Sequence, residues 1–378
     1  MTKKEAAILV KTGYLLQLLI ITSAVLFLCP GSSEGGTILL KKIRTVPAGR
    51  CPKGIAMSPD GKYAAVTNLE GGNVLFYDTK TGKPVKKIQF TITRGTGFDY
   101  QQKKRIPSFR EKPVECIFSK DGKWLFISLH NDCGIAAFAM ENGRLDFPSL
   151  KKAAVIDLVT GEKYACDIPY IRTGITPKVM TFSPDGKYLY VSNWHSGNIS
   201  VIETDSLKKL YDFWDLKQPR GISYYSRENY ILAANFNADY ITVLDTRKRT
   251  SAYLIRTGKN PRHIIQGADE DTFFVSLASK GYVAKINMAK RKITGMAKVG
   301  NSPRTIAITY DGQYLFSANY YDNTVSVVDT STMKQTGCYT AGVHPCGLCI
   351  TTDNKELWVT NYLSNDITIF RIQGKHHF

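Results

Sequence analysis

Apolar and polar residues alternate along this chain in short runs, each run closes at a turn, and the runs return in the same order. The segment after Pro303 shows the order: Arg304 to Thr309 is apolar and β-prone, and Asp311-Gly312 closes a tight hairpin. Gln313 to Asn319 and Thr324 to Asp329 follow with the same alternation, and Gln335 to Ala341 completes the module. A period of two predicts half-buried strands, and Asp-Gly between apolar runs is a strong hairpin signal because glycine accepts the positive φ of such turns. Asp-Gly recurs at Asp60, Asp121 and Asp185. One module is therefore four antiparallel strands.

Seven prolines open the modules: Pro52, Pro113, Pro177, Pro219, Pro261, Pro303 and Pro345, with a step of 42 residues from Pro177 onward. Sheets of four short strands repeated at this period pack face to face around an axis, so the predicted fold is all-β, a seven-bladed β-propeller of four-stranded antiparallel blades. The last module ends with Ile367 to Ile372 after three strands. Thr37 to Val46 resembles the fourth strand of other copies and is expected to complete the last blade, joining the chain ends and covering an open edge. Two insertions break the period, at about 91–112 and about 130–152. In the second, both Ile135 to Phe138 and Ala154 to Asp157 fit a third strand.

The strand ends Val-Thr-Asn and Val-Ser-Asn resemble the YVTN β-propeller repeat family of exported and surface-layer proteins, over residues 37–372. The resemblance implies the propeller fold and an extracytoplasmic setting. It leaves function open, because similar propellers serve as scaffolds, as haem-bearing redox domains and as lactonase-like enzymes.

Residues 1–33 stand outside the repeat. Lys3, Lys4 and Lys11 precede an apolar run from Tyr14 to Leu28, and small residues follow. This describes a secretory signal, with an uncleaved membrane anchor or lipidation at Cys29 as alternatives. Each places the domain of residues 34–378 outside the cytoplasm, in the periplasm or at the cell surface. Seven cysteines remain beyond it, an odd number that leaves at least one thiol without an intramolecular partner. Cys51 and Cys346 flank the expected ring closure, where a bridge would reinforce it. Cys346 and Cys349 form a C-x-x-C without the second pair a thiolate zinc site needs.

The formal charge is +18, which favours anionic partners such as nucleic acid, acidic glycan or an acidic protein. Comparing the modules locates that charge. The residue after proline reads Lys53, Val114, Lys178, Arg220, Arg262, Arg304 and Cys346; the residue after the second strand's end reads Leu69, His130, Trp194, Phe236, Ala278, Tyr320 and Tyr362. In a propeller both positions fall on one face. A ring of like charges there must be locally paired or occupied by an anion. The ligand-binding candidates are Lys53, Lys178, Arg220, Arg262 and Arg304 for charge, with Trp194, Phe236, Tyr320, Tyr362 and His130 for contact area. The first insertion adds Arg94, Lys103, Lys104, Arg105, Arg110 and Lys112, with Phe98, Tyr100 and Phe109, on the same face.

His130, His195, His263 and His344 map there too, but sit in different modules and are weak metal candidates. No G-x-S-x-G, phosphate-cradling glycine loop or H-E-x-x-H occurs. No cofactor is expected. The sequence reads as a monomeric, non-enzymatic binding or scaffold module of the cell envelope, with a redox or hydrolytic propeller using the face histidines as the alternative.

Overall fold

The computed structural model describes residues 38–99, 102–141 and 147–374; the leader expected at 1–33, with Cys29, lies outside them. Every regular element among the described residues is a β-strand, and the strands are antiparallel. Seven innermost strands begin at the seven prolines: Pro52–Met57, Pro113–Phe118, Pro177–Phe182, Pro219–Tyr225, Pro261–Gln266, Pro303–Ile308 and Pro345–Ile350. Each packs against the next, and the last packs against the first, so they close a ring.

Turn chemistry holds five of the seven inner hairpins. The hydroxyls of Ser58, Ser119, Ser183, Thr309 and Thr351 donate to the aspartate two residues on. That carboxylate then accepts the backbone N–H two residues further along, as Asp60 does from Lys62 at 3.0 Å. Asp78, Asp245 and Asp329 likewise accept N–H groups of the outer turns. The repeated aspartates are therefore structural.

The core is the layer between neighbouring blades rather than a single centre. Tyr314, Phe316, Val325 and Val327 of blade six pack on Leu348, Leu357, Val359 and Phe370 of blade seven. Ile38 and Leu40 join this cluster because Leu39–Pro47 pairs antiparallel with Asp366–Gln373 as the outermost strand of blade seven. Strands from the first and last parts of the described residues thus close the ring, and Leu39–Pro47 gives the last blade its fourth strand.

Blades three to six are four-stranded. Blades one and two depart from that pattern. Gly134–Ala139 pairs with Trp124–Leu129 and is the third strand of blade two. Leu150–Asp157 instead pairs on one side with Pro84–Phe90 of blade one and on the other with Lys163–Arg172, the outer strand of blade two. The two blades thus form one nine-stranded sheet. The first insertion is a separate hairpin, Arg94–Asp99 with Lys104–Phe109.

None of the seven described cysteines is in a disulfide, Cys51 and Cys346 included. At that joint the work is done by hydrogen bonds. Cys51 N–H donates to the Asn365 side chain at 2.7 Å, and the Tyr77 hydroxyl donates to the Pro47 carbonyl at 2.8 Å.

Candidate functional site

One backbone hydrogen bond, made in every blade, ties the two candidate series together. The N–H of the residue after the second strand donates to the carbonyl of the residue before proline. The pairs are Leu69 to Cys51, His130 to Lys112, Trp194 to Thr176, Phe236 to Gln218, Ala278 to Asn260, Tyr320 to Ser302 and Tyr362 to His344. In six blades the pre-proline residue is left-handed, with φ of 54° at Cys51, 61° at Thr176, 56° at Gln218, 59° at Asn260, 54° at Ser302 and 58° at His344. Such backbone costs about 1–3 kcal/mol at a non-glycine residue, and most at a β-branched one such as Thr176.

A second set of bonds locks the inner strands to one another. The hydroxyls of Thr67, Ser192, Ser276 and Thr360 donate across the blade gap to the carbonyls of Val114, Arg220, Arg304 and Lys53, at 3.0, 2.7, 2.9 and 2.7 Å. The acceptor is in each case the residue after proline, so the backbone at Lys53, Arg220 and Arg304 is held by the preceding blade. The strands approach too closely for a side chain at Gly54, Gly221 and Gly347. A Cβ on Gly347 would lie 2.2 Å from the Lys53 carbonyl, and one on Gly221 2.6 Å from that of Arg262. These hydroxyls were a missed signal: the position before the strand's end is Ser or Thr in most modules.

The five cations meet at the centre of this frame. Lys178, Arg220 and Arg262 are buried, and Lys53 and Arg304 half-buried. Each lies over an aromatic ring of the second series. Lys53 is 5.7 Å from the Tyr362 centroid, Lys178 5.9 Å and Arg220 5.6 Å from Trp194, Arg262 5.5 Å from Phe236 and Arg304 3.7 Å from Tyr320. Cation–π contacts contribute about 0.5–2 kcal/mol each, rising with desolvation. The aromatics are therefore less an exposed contact surface than the packing that carries the charges; Trp194 is 9% exposed.

Carboxylates are scarce. Arg220 pairs with Glu115 at 3.9 Å, and among the described residues Lys53, Lys178, Arg262 and Arg304 make no ion pair. Glu115, two residues after Pro113, was not singled out from the sequence because only blade two carries it. The Nε of Arg304 is buried without a hydrogen-bond partner among the described residues. Burial, then Arg220 and Arg304, pulls the Lys53 ammonium down to about 8, against the opposing influence of Cys346 and Glu115. Burial first and the neighbouring cations second push Lys178 and Arg262 well below their ordinary values.

The histidines do separate jobs. His130 Nδ1 lies 2.7 Å from Lys178 Nζ, and burial and that ammonium push its pKa well below 6.5. The imidazole is thus neutral, with Nδ1 as acceptor and Lys178 as donor. His195 Nδ1 bonds the Thr176 hydroxyl at 2.8 Å, and His344 stacks on Tyr320 at 4.1 Å between centroids. His263, pushed to about 3 by burial and by Arg220 and Arg262, accepts the Ile306 N–H at 3.4 Å. Among the described residues no group of three His, Cys, Asp or Glu side chains could hold a metal ion.

The first insertion reaches over this face. Asn131 donates to the Phe109 carbonyl at 2.9 Å, and the Phe98 ring lies 6.5 Å from His195. Beneath the hairpin is a pocket of about 860 Å³ lined by Phe98, Ile175, Trp194, His195, Phe236 and His130, among others. The base of the hairpin is pinned by Lys151, which pairs with Glu111 at 3.1 Å and with Asp132.

Residues 244–340 match the family model described as Lactonase, 7-bladed beta-propeller. A solved structure of Kuenenia stuttgartiensis Hydrazine Synthase superposes with a TM-score of 0.64 at 19% identity, over 90% of this chain and 99% of that one. The chain is a seven-bladed β-propeller. Hydrazine synthase subunit beta from Kuenenia stuttgartiensis is 32% identical to the propeller over 170 residues, which is 40% of this chain. The propeller spans 40% of the length of that curated relative.

Proposed function

We propose that this protein is an exported, non-enzymatic binding module, a propeller of the YVTN type, whose mouth receives an anionic group of a ligand or partner. The observation that carries the reading is the ring of Lys53, Lys178, Arg220, Arg262 and Arg304, which among the described residues has one carboxylate, Glu115, paired with it. Buried like charges cost several kcal/mol unless compensated, and aromatic faces offset only part of that. An anion at the centre would supply the missing compensation and accept from the buried Arg304 Nε.

Because three of the cations are buried, the recognised group must enter the mouth. A carboxylate or phosphate at the end of a small molecule, glycan or peptide can do so; the backbone of a duplex lying across the face cannot. The two modes differ in salt dependence. A surface-bound polyanion loses affinity steeply with salt, whereas a desolvated anion is screened far less.

Titration calorimetry with inorganic phosphate tests the reading on the purified propeller and on Arg262→Gln and Arg304→Gln, with thermal unfolding as the folding control. Saturable binding that weakens about tenfold or more in each folded variant is expected, since a charge-assisted hydrogen bond contributes about 1.5–3 kcal/mol. Affinity unchanged by either substitution would sink it.

A further inference from the structure

We infer that the pocket beneath the Arg94–Asp99/Lys104–Phe109 hairpin holds the flat apolar body of the ligand whose anionic group enters the mouth, so that the ligand class is a small aryl-bearing anion. The inference rests on the anion-binding reading above and adds to it the identity of the rest of the molecule.

Size and lining point to a small molecule. About 860 Å³ lies within the range of pockets that enclose one, and Phe98, Ile175, Trp194 and Phe236 give it mainly apolar walls. Phe98 and Ile175 stand 42% and 53% exposed, so two walls present apolar surface that a ligand would cover. The pocket's imidazoles add little polarity. Both are uncharged at neutral pH, and their Nδ1 atoms are engaged by Lys178 and by Thr176.

Position ties the pocket to the ring. Trp194 and Phe236, which line the pocket, are the same rings against which Lys178, Arg220 and Arg262 pack. His130, also in the lining, is hydrogen-bonded to Lys178. A planar body in the pocket therefore carries an attached carboxylate or phosphate towards the ring. A cation against an aromatic ring also draws on its π density, which favours an electron-rich, anion-bearing partner and disfavours a cationic one.

The test compares inorganic phosphate with 1-naphthyl phosphate by calorimetry on the intact propeller, on Phe98→Ala and on Arg262→Gln. Phe98 lies on the insertion hairpin and in none of the interblade cores, so its loss leaves the ring intact. Burying an aryl group is expected to make naphthyl phosphate bind about tenfold or more tighter than phosphate. Phe98→Ala should remove most of that advantage and leave phosphate affinity unchanged, whereas Arg262→Gln should weaken both. Equal affinity for the two anions, or a Phe98→Ala loss shared by both, overturns the inference while the anion-binding mouth stands. Failure of both anions to bind overturns the mouth and the inference together.

Discussion

Lys178 Nζ donates to His130 Nδ1 across 2.7 Å, and both basic groups are held below their ordinary pKa values first by burial and then by neighbouring cations, Lys53 and Arg220 for Lys178, and Lys178 and Lys53 for His130. Two bases sharing one hydrogen bond in a buried site is a poor arrangement for stability and a good one for attracting an anion. Replacing Lys178 by Met should therefore leave the ligand-free fold as stable as before or more so. Phosphate affinity should fall about tenfold, the scale of one charge-assisted hydrogen bond. The His130 imidazole should titrate closer to 6.5, which an NMR pH series would read. A Tm falling by several degrees with phosphate affinity unchanged would contradict this.

Lys53 gives the site a pH dependence with a definite sign. Its folded value of about 8 lies below the ordinary lysine value of 10.5, so between those pH values the unfolded chain binds more protons than the folded one. This group therefore destabilises the ligand-free propeller fully below pH 8, and the penalty fades as pH rises from 8 towards 10.5. Anion binding has the opposite slope, since it needs the protonated ammonium. Phosphate should raise Tm more at pH 7 than at pH 9.5, and binding near pH 8 should take up protons, measurable in buffers of different ionisation enthalpy.

Left-handed backbone before proline is a local test of how the frame stores strain. Gln218, at φ 56°, should accept glycine with a gain of up to about 1 kcal/mol, while Gln218→Val should cost about 1–3 kcal/mol. Denaturant unfolding of the two variants decides it, and the reverse order would show that the residue's own contacts outweigh its conformation.

Ring closure depends on Ile38 and Leu40, which are 0% and 5% exposed in the cluster between blades six and seven. Ile38→Ala should cost about 2–4 kcal/mol, and amide exchange should quicken first in Asp366–Gln373. Quickening spread evenly over all seven blades would argue against a clasp.

Much of this architecture could be read from the chain because the repeat compares each residue with its own copies. The prolines, the Asp-Gly turns and the strand patterns at Tyr314 or Tyr188 state local rules that the fold obeys. The seven-bladed ring and the strand that closes it follow from them. The fate of the second insertion was not legible: Gly134–Ala139 and Leu150–Asp157 carry the same apolar alternation, and only non-local pairing with Trp124–Leu129 or Pro84–Phe90 separates them. The two candidate series could be placed on one face, but the burial of Lys178, Arg220 and Arg262 behind aromatic rings could not. Nor could the left-handed backbone at Thr176, Gln218 and Asn260, because a residue before proline is ordinarily expected to be extended.

Anomalous diffraction from crystals soaked in selenate asks whether an anion belongs at the centre of the ring. A selenium peak is expected, enclosed by Lys53, Lys178, Arg220, Arg262 and Arg304 and within hydrogen-bond distance of the Arg304 guanidinium. Peaks confined to exposed lysines, with an empty ring, would contradict it.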